Sequence, residues 1–353
     1  MDNLTNVFSG DAFSVLELST AIQSFPNLYG ALNSSGLFLG EGITTTSVSV
    51  EIENGVLNLI PNTKRGLPSN KNSSGKREVR SFLTPHLPLD DKIYPSDVQN
   101  VRAFGSNQLQ TVDQVVVKKL GEMSRKHDIT HEYLKSGAIA GKILDADGTT
   151  TILNLFTEFG VTEKSVNFAL TTETTDIQAK VTEVIGHIED NLNGDTYTHV
   201  RAYCSPEFFS AFIAHQKVRE AYLNYQNIQS SVAGLASATA NPLRNDVRAG
   251  FFFLGVEWVE YRAKAAFLKS NGTKETKNFV AANTVRFVPV GTTQTFFEYF
   301  APADWLETVN TIGQQKYAKV VVEPGQRWAE LLSESNPLPL CLRPAVLVKG
   351  TRT

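Results

Sequence analysis

The feature that most constrains this chain is a long stretch of helical periodicity that begins near Tyr94 and ends near Gly141. Ser96 and Gln99 have the spacing of a capping box, in which the two side chains satisfy backbone N–H groups at a helix start. Beyond them, apolar residues recur at steps of three or four and therefore share one helical face. The residues of this face are Val98, Val101, Phe104, Leu109, Val112, Val115, Val116, Leu120 and Met123.

This pattern predicts a helix over residues 98–126, about 40 Å long at about 1.5 Å per residue. A second helix is expected over residues 130–140, with Gly141 as its C-cap. Because the run 115–117 is β-branched and disfavours an isolated helix, tertiary packing must hold it. The stretch is either an ordinary core helix or a spine that supports separate lobes. On the core face we expect five residues to contact a sheet: Leu109, Val112, Val116, Leu120 and Met123.

The N-terminal third alternates between an apolar arm and a β-rich extension. Residues 1–38 are too apolar for a free tail, so this arm is expected to pack on its own body or on a neighbour. Residues 43–52 and 56–60 have strand composition and flank Asn54-Gly55, a strong hairpin signal. Residues 78–87 lead out as another strand. The region 43–92 is therefore predicted to be a two-armed β extension with little core of its own.

The tip of this extension, residues 61–77, is polar, basic and rich in Gly, Pro, Ser and Asn. A loop of this length is either functional or mobile. No aromatic residue lies between Pro61 and Ser81 to stack on a base, so a solvated loop or a contact with an acidic neighbour is favoured over nucleic-acid binding. The predicted inter-subunit residues at the tip are Lys64, Arg65, Lys71, Lys76, Arg77 and Arg80.

Strands and helices interleave in the remainder of the chain. A hairpin is expected over residues 142–156 around Asp147-Gly148, followed by an amphipathic helix over 171–193. Ser205 and Pro206 have the chemistry of an N-cap and a first helical position, and they follow a short buried strand over 200–204. The further predictions are a helix from Ser205 to about Tyr225, a loop over 230–246, and strands over 251–261, 284–290, 317–322 and 328–332.

Composition excludes several classes of protein. The formal net charge of −3 gives no sign of a nucleic-acid coat, and no apolar run approaches the roughly 20 residues that cross a bilayer. The N-terminus lacks the pattern of a signal peptide. The two cysteines, Cys204 and Cys341, match no metal-binding spacing and fit a structural role in a reducing compartment.

A search for catalytic motifs finds none. His127 and His131 are four residues apart, but Asp replaces the glutamate of the zinc-protease motif, so a polar break between two helices is the favoured interpretation. The segment Asp145-Ala146-Asp147-Gly148 resembles half of a calcium loop, but its other ligands are misplaced and a turn is favoured. We therefore expect no enzyme activity, no metal and no cofactor.

Several motifs together resemble the lambda-like phage major capsid protein E family. The segment IYPSDVQ at 93–99, with RAFG at 102–105, is similar to the start of the family's spine. CSPEFF at 204–209, followed by Ala214-His215, is similar to its central helix. The best match comprises APADW at 301–305, ETVNT at 307–311, Gly313, and SNPLPLCLRP at 335–344.

The resemblance implies an α+β Hong Kong 97-type capsid fold and a major capsid protein of a tailed phage. Such proteins assemble as hexamers and pentamers around a scaffold into an icosahedral shell, into which double-stranded DNA is later packaged. The implied partners are copies of this chain and a scaffold, with a decoration protein, a portal and non-specific DNA contact as further ones. The implied locations are the virion and, during assembly, the host cytoplasm.

The same resemblance implies a domain division. It gives an N-terminal arm at 1–38, an E-loop at 39–95, a P-domain at 96–170 and 305–335, an A-domain at 171–304, and a C-terminal strand at 336–353 that returns to the A-domain. The rival interpretation is a soluble hydrolase or binding module with a mobile lid at 61–77. A third, a capsid protease fused to a scaffold, lacks a nucleophile motif.

Overall fold

The computed structural model describes residues 14–24, 30–53, 77–99, 111–219, 251–268 and 273–353. Within these ranges the α-helices are α1 (Val15–Ser24), α2 (Ala31–Ser34), α3 (Val112–Ile139), α4 (Leu155–Phe159), α5 (Ile177–Asn191) and α6 (Pro206–Ala214), and residues 216–219 are also helical. Short 3-10 turns lie at Pro95–Asp97, Leu306–Thr308 and Pro344–Val346.

The same ranges contain eighteen β-strands. The first nine are β1 (Leu39–Gly42), β2 (Ser47–Glu53), β3 (Arg77–Leu83), β4 (Leu87–Ile93), β5 (Lys142–Leu144), β6 (Thr151–Asn154), β7 (Lys164–Asn167), β8 (His199–Cys204) and β9 (Phe251–Phe253). The others are β10 (Val256–Glu260), β11 (Lys264–Leu268), β12 (Lys274–Asn278), β13 (Thr284–Val290), β14 (Phe296–Phe300), β15 (Tyr317–Val322), β16 (Ala329–Ser335), β17 (Pro337–Cys341) and β18 (Val348–Thr351).

Three larger sheets organise the described residues. The largest has the strand order β7-β18-β13-β8-β10-β9, and two three-stranded sheets have the orders β1-β14-β17 and β15-β16-β4. The remaining strands form two-stranded ribbons: β2-β3, β5-β6 and β11-β12. This mixture of helices with parallel and antiparallel strands is an α+β architecture.

The main hydrophobic core lies around the six-stranded sheet. Its centre is aromatic: the rings of Phe212 and Trp258 stack with centroids 3.9 Å apart, and Phe168 meets Trp258 edge to face at 6.1 Å. Helix α5 contributes Ile177, Val181, Val184 and Ile188 to this core, the face that its 3.6-residue period predicts. Helix α6 begins as predicted, with Ser205 accepting a hydrogen bond from the N–H of Phe208.

The long helix α3 begins later than predicted. The expected start at Ser96 is wrong: Pro95–Asp97 is a single 3-10 turn in which the Asp97 carboxylate accepts from the Tyr94 N–H. The capping box that starts α3 is formed by Thr111 and Gln114, which have the same spacing. The predicted break between two helices at residues 127–130 is also wrong, because α3 is continuous for 28 residues.

Two predicted strands have different partners or bounds. The run 251–261 is not one strand but the hairpin β9-β10, which turns at Leu254 and Gly255, both at positive φ. Strand β2 pairs with β3, with Glu53 opposite Arg77, whereas the predicted turn at Asn54-Gly55 and the return strand 56–60 lie outside the described residues. The predicted loop 230–246 also lies outside them. Helix α6 ends at Ala214, where the chain bends at His215, and residues 216–219 are helical again. The rest of the predicted helix, up to Tyr225, lies outside the described residues.

The base of the β2-β3 ribbon packs on the main core of the subunit and forms no separate core among the described residues. Val48, Val50 and Phe82 are buried in it, and the Phe82 ring stacks on that of Phe159 at 6.0 Å. The hairpin around Asp147-Gly148 is confirmed by the pairing of β5 with β6. Asp147 accepts hydrogen bonds from Thr149 and Thr150, as in a turn.

Candidate functional site

The predicted basic tip is only partly described. Lys64, Arg65, Lys71 and Lys76 lie outside the described residues, and of Arg77 only its place at the start of β3 is known. Arg80 lies in the middle of β3, and its guanidinium carbon is 5.8 Å from the centroid of the Phe159 ring. The structure thus places Arg80 against its own subunit. Its role between subunits stays a prediction.

The predicted core face of the long helix packs in one apolar cluster. Leu109 lies outside the described residues, but Val112, Val116, Leu120 and Met123 are buried. Their cluster includes residues of the β15-β16-β4 sheet and of helix α1: Ile93, Ala318, Ala329, Leu331, Leu18 and Ile22. The described part of the N-terminal arm therefore packs on its own subunit, one of the two alternatives expected from its composition.

Further along α3, the buried face changes from apolar to ionisable. The residues concerned follow the same helical stripe and are each no more than 5% exposed: His127, Asp128, His131, Glu132 and Lys135. Together with Lys316 and Glu298 we call them the spine network. The sequence pattern instead predicts a polar break between two helices here. Such groups are rarely buried unless they are paired, so their partners define what the network does.

The first pair of the network joins Lys316 to Asp128. The Lys316 Nζ lies 2.5 Å from the Asp128 Oδ1, and neither side chain is more than 4% exposed. The Lys316 Nζ also donates to the Ser124 hydroxyl, which donates in turn to the carbonyl of Ile22 in α1. Gln23 of the same helix donates to the Lys316 carbonyl. The pair therefore ties α1 to both α3 and the start of β15.

Glu132 holds the next piece of the arm. Its carboxylate accepts from the backbone N–H groups of Leu32 and Asn33 at 2.9 and 2.7 Å, and from the Tyr261 hydroxyl at 2.6 Å. Gly30 approaches this carboxylate so closely that a Cβ would lie 2.0 Å from the Glu132 Cδ, and its φ is +93°. Both the space and the backbone conformation therefore require glycine at position 30.

The second ion pair joins Lys135 to Glu298 of β14, with 2.9 Å between Nζ and Oε2. Near it, the His131 Nδ1 and the Glu298 Oε1 are 3.9 Å apart, too far for a hydrogen bond, and neither atom has another partner among the described residues. The other nitrogens are engaged. The His131 Nε2 lies 2.8 Å from the Ser335 hydroxyl, and the His127 Nε2 lies 2.7 Å from that of Ser333.

Burial sets the protonation of these groups. It lowers the pKa of His127 to about 4, with help from the positive charge of Lys316, and it lowers the pKa of His131 well below its usual value. Burial raises the pKa of Glu132 and of Glu298, against the opposing effects of Tyr261 and Lys135 respectively. Near neutral pH both histidines are therefore uncharged hydrogen-bonding groups.

A neighbouring carboxylate fixes the segment that follows β14. Glu334 is 3% exposed, and its Oε1 accepts from the Asp304 N–H at 2.8 Å and from the Asn336 side-chain amide at 2.7 Å. The same amide donates to the Pro302 carbonyl at 2.8 Å, and the His86 Nδ1 is 3.1 Å from the carboxylate. Glu334 thus fixes the start of the segment 301–316.

The ionisable groups of these sites act as hydrogen-bond and ion-pair partners within the subunit. Cys204 and Cys341, for which the sequence predicts a structural role, are buried free thiols, and burial raises the pKa of both, that of Cys341 to about 12. Within the described ranges no group of three or more His, Cys, Asp or Glu side chains is placed to hold a metal ion. In the same ranges, no helix combines the length and apolarity of a membrane span. What the spine network can do is hold the arm, the long helix and two sheets together.

The partners of the network explain why sequence reasoning missed it. His127 and Ser333 are 206 positions apart, so no local pattern could pair them. One signal was present: residues 127, 131 and 135 continue the helical stripe of Val116, Leu120 and Met123. When ionisable residues continue the apolar face of a helix at the same spacing, they indicate buried, paired side chains rather than the end of the helix.

Sequence comparison shows which known proteins this chain is similar to. The family described as phage major capsid protein E matches residues 14–352. The major capsid protein of Pseudomonas phage KPP10 is 33% identical over 344 residues, which cover 96% of both chains.

Two solved structures share the fold at low sequence identity. The crystal structure of a protein assigned as the capsid protein of a prophage in E. coli CFT073 has a TM-score of 0.59 at 13% identity, covering 96% of this chain and 99% of that one. The mature capsid of bacteriophage PhiM1 has a TM-score of 0.50 at 13% identity, covering 92% and 87%. The fold is that of phage capsid subunits, the Hong Kong 97 type. The chain belongs to the phage major capsid protein E family.

Proposed function

We propose that this chain builds an icosahedral phage head by associating with copies of itself as hexamers and pentamers. It is a major capsid protein of a tailed phage and thus a component of the virion. The observation that carries the assembly proposal is the 33% identity to the KPP10 major capsid protein over 96% of the chain. The same membership supports a structural rather than a catalytic role.

The described elements suggest how the proposed domains are built. Helix α3 and the β15-β16-β4 sheet would form the P-domain, and the six-stranded sheet with α5 and α6 would form the A-domain. Strand β18 pairs with β13 and β7, in keeping with a C-terminal strand that returns to the A-domain. Strand β4 pairs with β16 along its whole length, which favours moving residues 87–93 from the E-loop to the P-domain.

The partners follow from this role. A scaffold would organise the subunits in the host cytoplasm, a portal and a decoration protein would join the shell, and packaged DNA would meet its inner wall non-specifically. The formal net charge of −3 suits a wall that must not bind the genome tightly. The β2-β3 ribbon and the basic residues beyond it would lie on a neighbouring subunit.

Sedimentation and negative-stain microscopy of the purified chain test the proposal. Shells or capsomers are the expected result. A monodisperse monomer would instead favour the rival interpretation, a soluble hydrolase or binding module with a lid at 61–77. Metal analysis of the particles is expected to find no stoichiometric zinc or calcium, and finding either would contradict the expectation that the chain binds no metal.

A further inference from the structure

The loop between β14 and β15 exposes three large apolar side chains. Leu306 is 96% exposed, Ile312 69% and Val309 59%. No other large apolar side chain among the described residues is as exposed as Leu306. We call residues 306–312 the apolar tip.

The shape of this tip is fixed by hydrogen bonds within the subunit. The buried Thr308 hydroxyl donates to the Ala303 carbonyl at 2.7 Å, and the Thr311 hydroxyl donates to the Thr308 carbonyl at 2.7 Å. Lys319 of β15 forms an ion pair with Glu307 at 2.7 Å. The exposure of the three apolar side chains therefore belongs to an ordered loop and not to a loose one.

Both ends of the loop are anchored as well. At one end, Glu334 holds the Asp304 N–H. At the other, the Gly313 N–H donates to the Ile43 carbonyl at 2.8 Å, and a Cβ at Gly313 would lie 1.8 Å from the Phe300 oxygen. A glycine is thus required where the loop returns to the body. A preorganised apolar surface loses little conformational entropy on contact, which favours binding.

We propose that the apolar tip packs against a second copy of this chain in the assembled shell; this inference rests on the proposed function. Charge supports a partner identical to the chain itself. The only ionisable residue in the tip is Glu307, and Lys319 of the same subunit already neutralises it. Copies can therefore meet here without bringing an unpaired like charge to the contact.

The size of the tip also points to another copy. Three side chains bury far less than the roughly 800 Å² per partner that a stable pair of proteins needs. A contact this small is too weak to hold an isolated complex, but a shell repeats it at every subunit. The tip should therefore strengthen shells without making free subunits dimerise.

A single introduced thiol can report on this contact. Both native cysteines are fully buried, so Leu306→Cys supplies one reactive thiol per chain. We would compare its reaction with a polar maleimide in free subunits and in shells purified from cells that express this chain alone. The expected result is a reaction slower by about tenfold or more in shells, since a packed interface excludes water and reagent. Ser210→Cys, on the exposed face of α6, gives the rate for a second surface thiol.

Several outcomes would overturn the inference. One is equal reactivity of Leu306→Cys in shells and subunits, and another is protection only in particles that contain other phage proteins. If the cysteine variant fails to assemble, Leu306→Asp and Leu306→Met decide. We expect Leu306→Asp to form no shells and Leu306→Met to form them normally, with the melting of the free subunit unchanged in both variants. Shells from Leu306→Asp at the wild-type yield would contradict the contact. Absence of shells from the unaltered chain would count against the proposed function instead.

Discussion

At the scale of single residues, the stability of the subunit depends on buried ion pairs. Lys316 and Asp128 face each other at 2.5 Å in a region where neither is more than 4% exposed. Taking two charges out of water costs several kcal/mol per ion, which their attraction roughly offsets. The pair is therefore more important for fixing the position of α1 than for net stability.

Removing only one member of this pair should be far worse than removing both. Lys316→Met leaves the Asp128 carboxylate buried without its cation, and we expect a loss of roughly 3–5 kcal/mol in the free energy of unfolding. The double variant Lys316→Met with Asp128→Leu should recover most of that loss. Urea unfolding of dissociated subunits measures both values. Equal destabilisation by the single and double variants would contradict the buried-pair interpretation.

The buried histidines should make the subunit sensitive to acid. In the unfolded chain His127 takes up a proton near pH 6.5, but in the folded protein it does so only near its pKa of about 4. Between these values the unfolded state holds more protons, so stability falls as the pH falls. At pH 5 the effect of His127 is about 2 kcal/mol, because one pKa unit corresponds to about 1.4 kcal/mol.

The test is the shift in melting temperature between pH 7 and pH 5. His127→Gln can keep a hydrogen bond to Ser333 but cannot titrate, so its shift should be smaller than that of the wild type. Glu132 and Glu298 act in the opposite direction, because their raised pKa values stabilise the folded state as the pH falls, and they are present in both proteins. Identical shifts in the two proteins would rule out the proposed effect of His127.

At the scale of elements, α3 offers neighbouring residues in opposite environments. Val116 is 2% exposed in the cluster with α1 and the β15-β16-β4 sheet, whereas Val117 is 54% exposed. Val116→Asp would bury a charge without a partner and should lower the free energy of unfolding by several kcal/mol. Val117→Asp introduces the same carboxylate at an exposed position, where water solvates it. We expect Val116→Asp to lose soluble protein and Val117→Asp to fold normally, as circular dichroism melting would show. Soluble, assembled Val116→Asp would show that this face is wrongly assigned.

The elements that the sequence predicts well are those decided by local chemistry. The Ser205 cap and the turn at Asp147-Gly148 were predicted because their interactions lie within a few residues of each other. The start of α3 was misplaced because the pattern of a capping residue and a glutamine three positions later occurs twice, at Ser96 and at Thr111. Local sequence cannot decide which of the two is used, because α3 is stabilised by packing against residues far away in the chain.

The candidate site shows the same limit. The apolar stripe of α3 could be derived from its period, but the spine network depends on β14, Lys316 and β16, all more than 160 positions away along the chain. Likewise the hairpin β9-β10 was missed, because its turn at Leu254-Gly255 lies inside an apolar run that has the composition of a single buried strand.

At the scale of the whole molecule, the basic tip should matter for assembly rather than for folding. Glu53 pairs with Arg77, so after deletion of residues 64–76 the ten residues 54–63 can still connect the two strands. We expect the deletion to leave subunit melting unchanged and to reduce the yield of particles. Replacing Lys64, Arg65, Lys71, Lys76 and Arg77 with serine should reduce the yield less, and high salt should partly mimic this replacement.

Equal particle yields from the wild type and the deletion would contradict the role of this segment between subunits. A deletion variant that aggregates or melts much earlier would place the segment in the core of its own subunit instead. Subunit melting and particle yield should therefore be measured on the same preparations.

The most direct measurement is a cryo-electron microscopy reconstruction of the particles that this chain forms. The predicted result is a closed icosahedral shell of hexamers and pentamers. In each subunit α1 should lie on its own α3, beside the Lys316–Asp128 pair, and the β2-β3 ribbon should extend over a neighbour. A lattice without capsomers of six and five copies, or subunits that remain monomers at every concentration, would contradict assembly of the chain into a phage head.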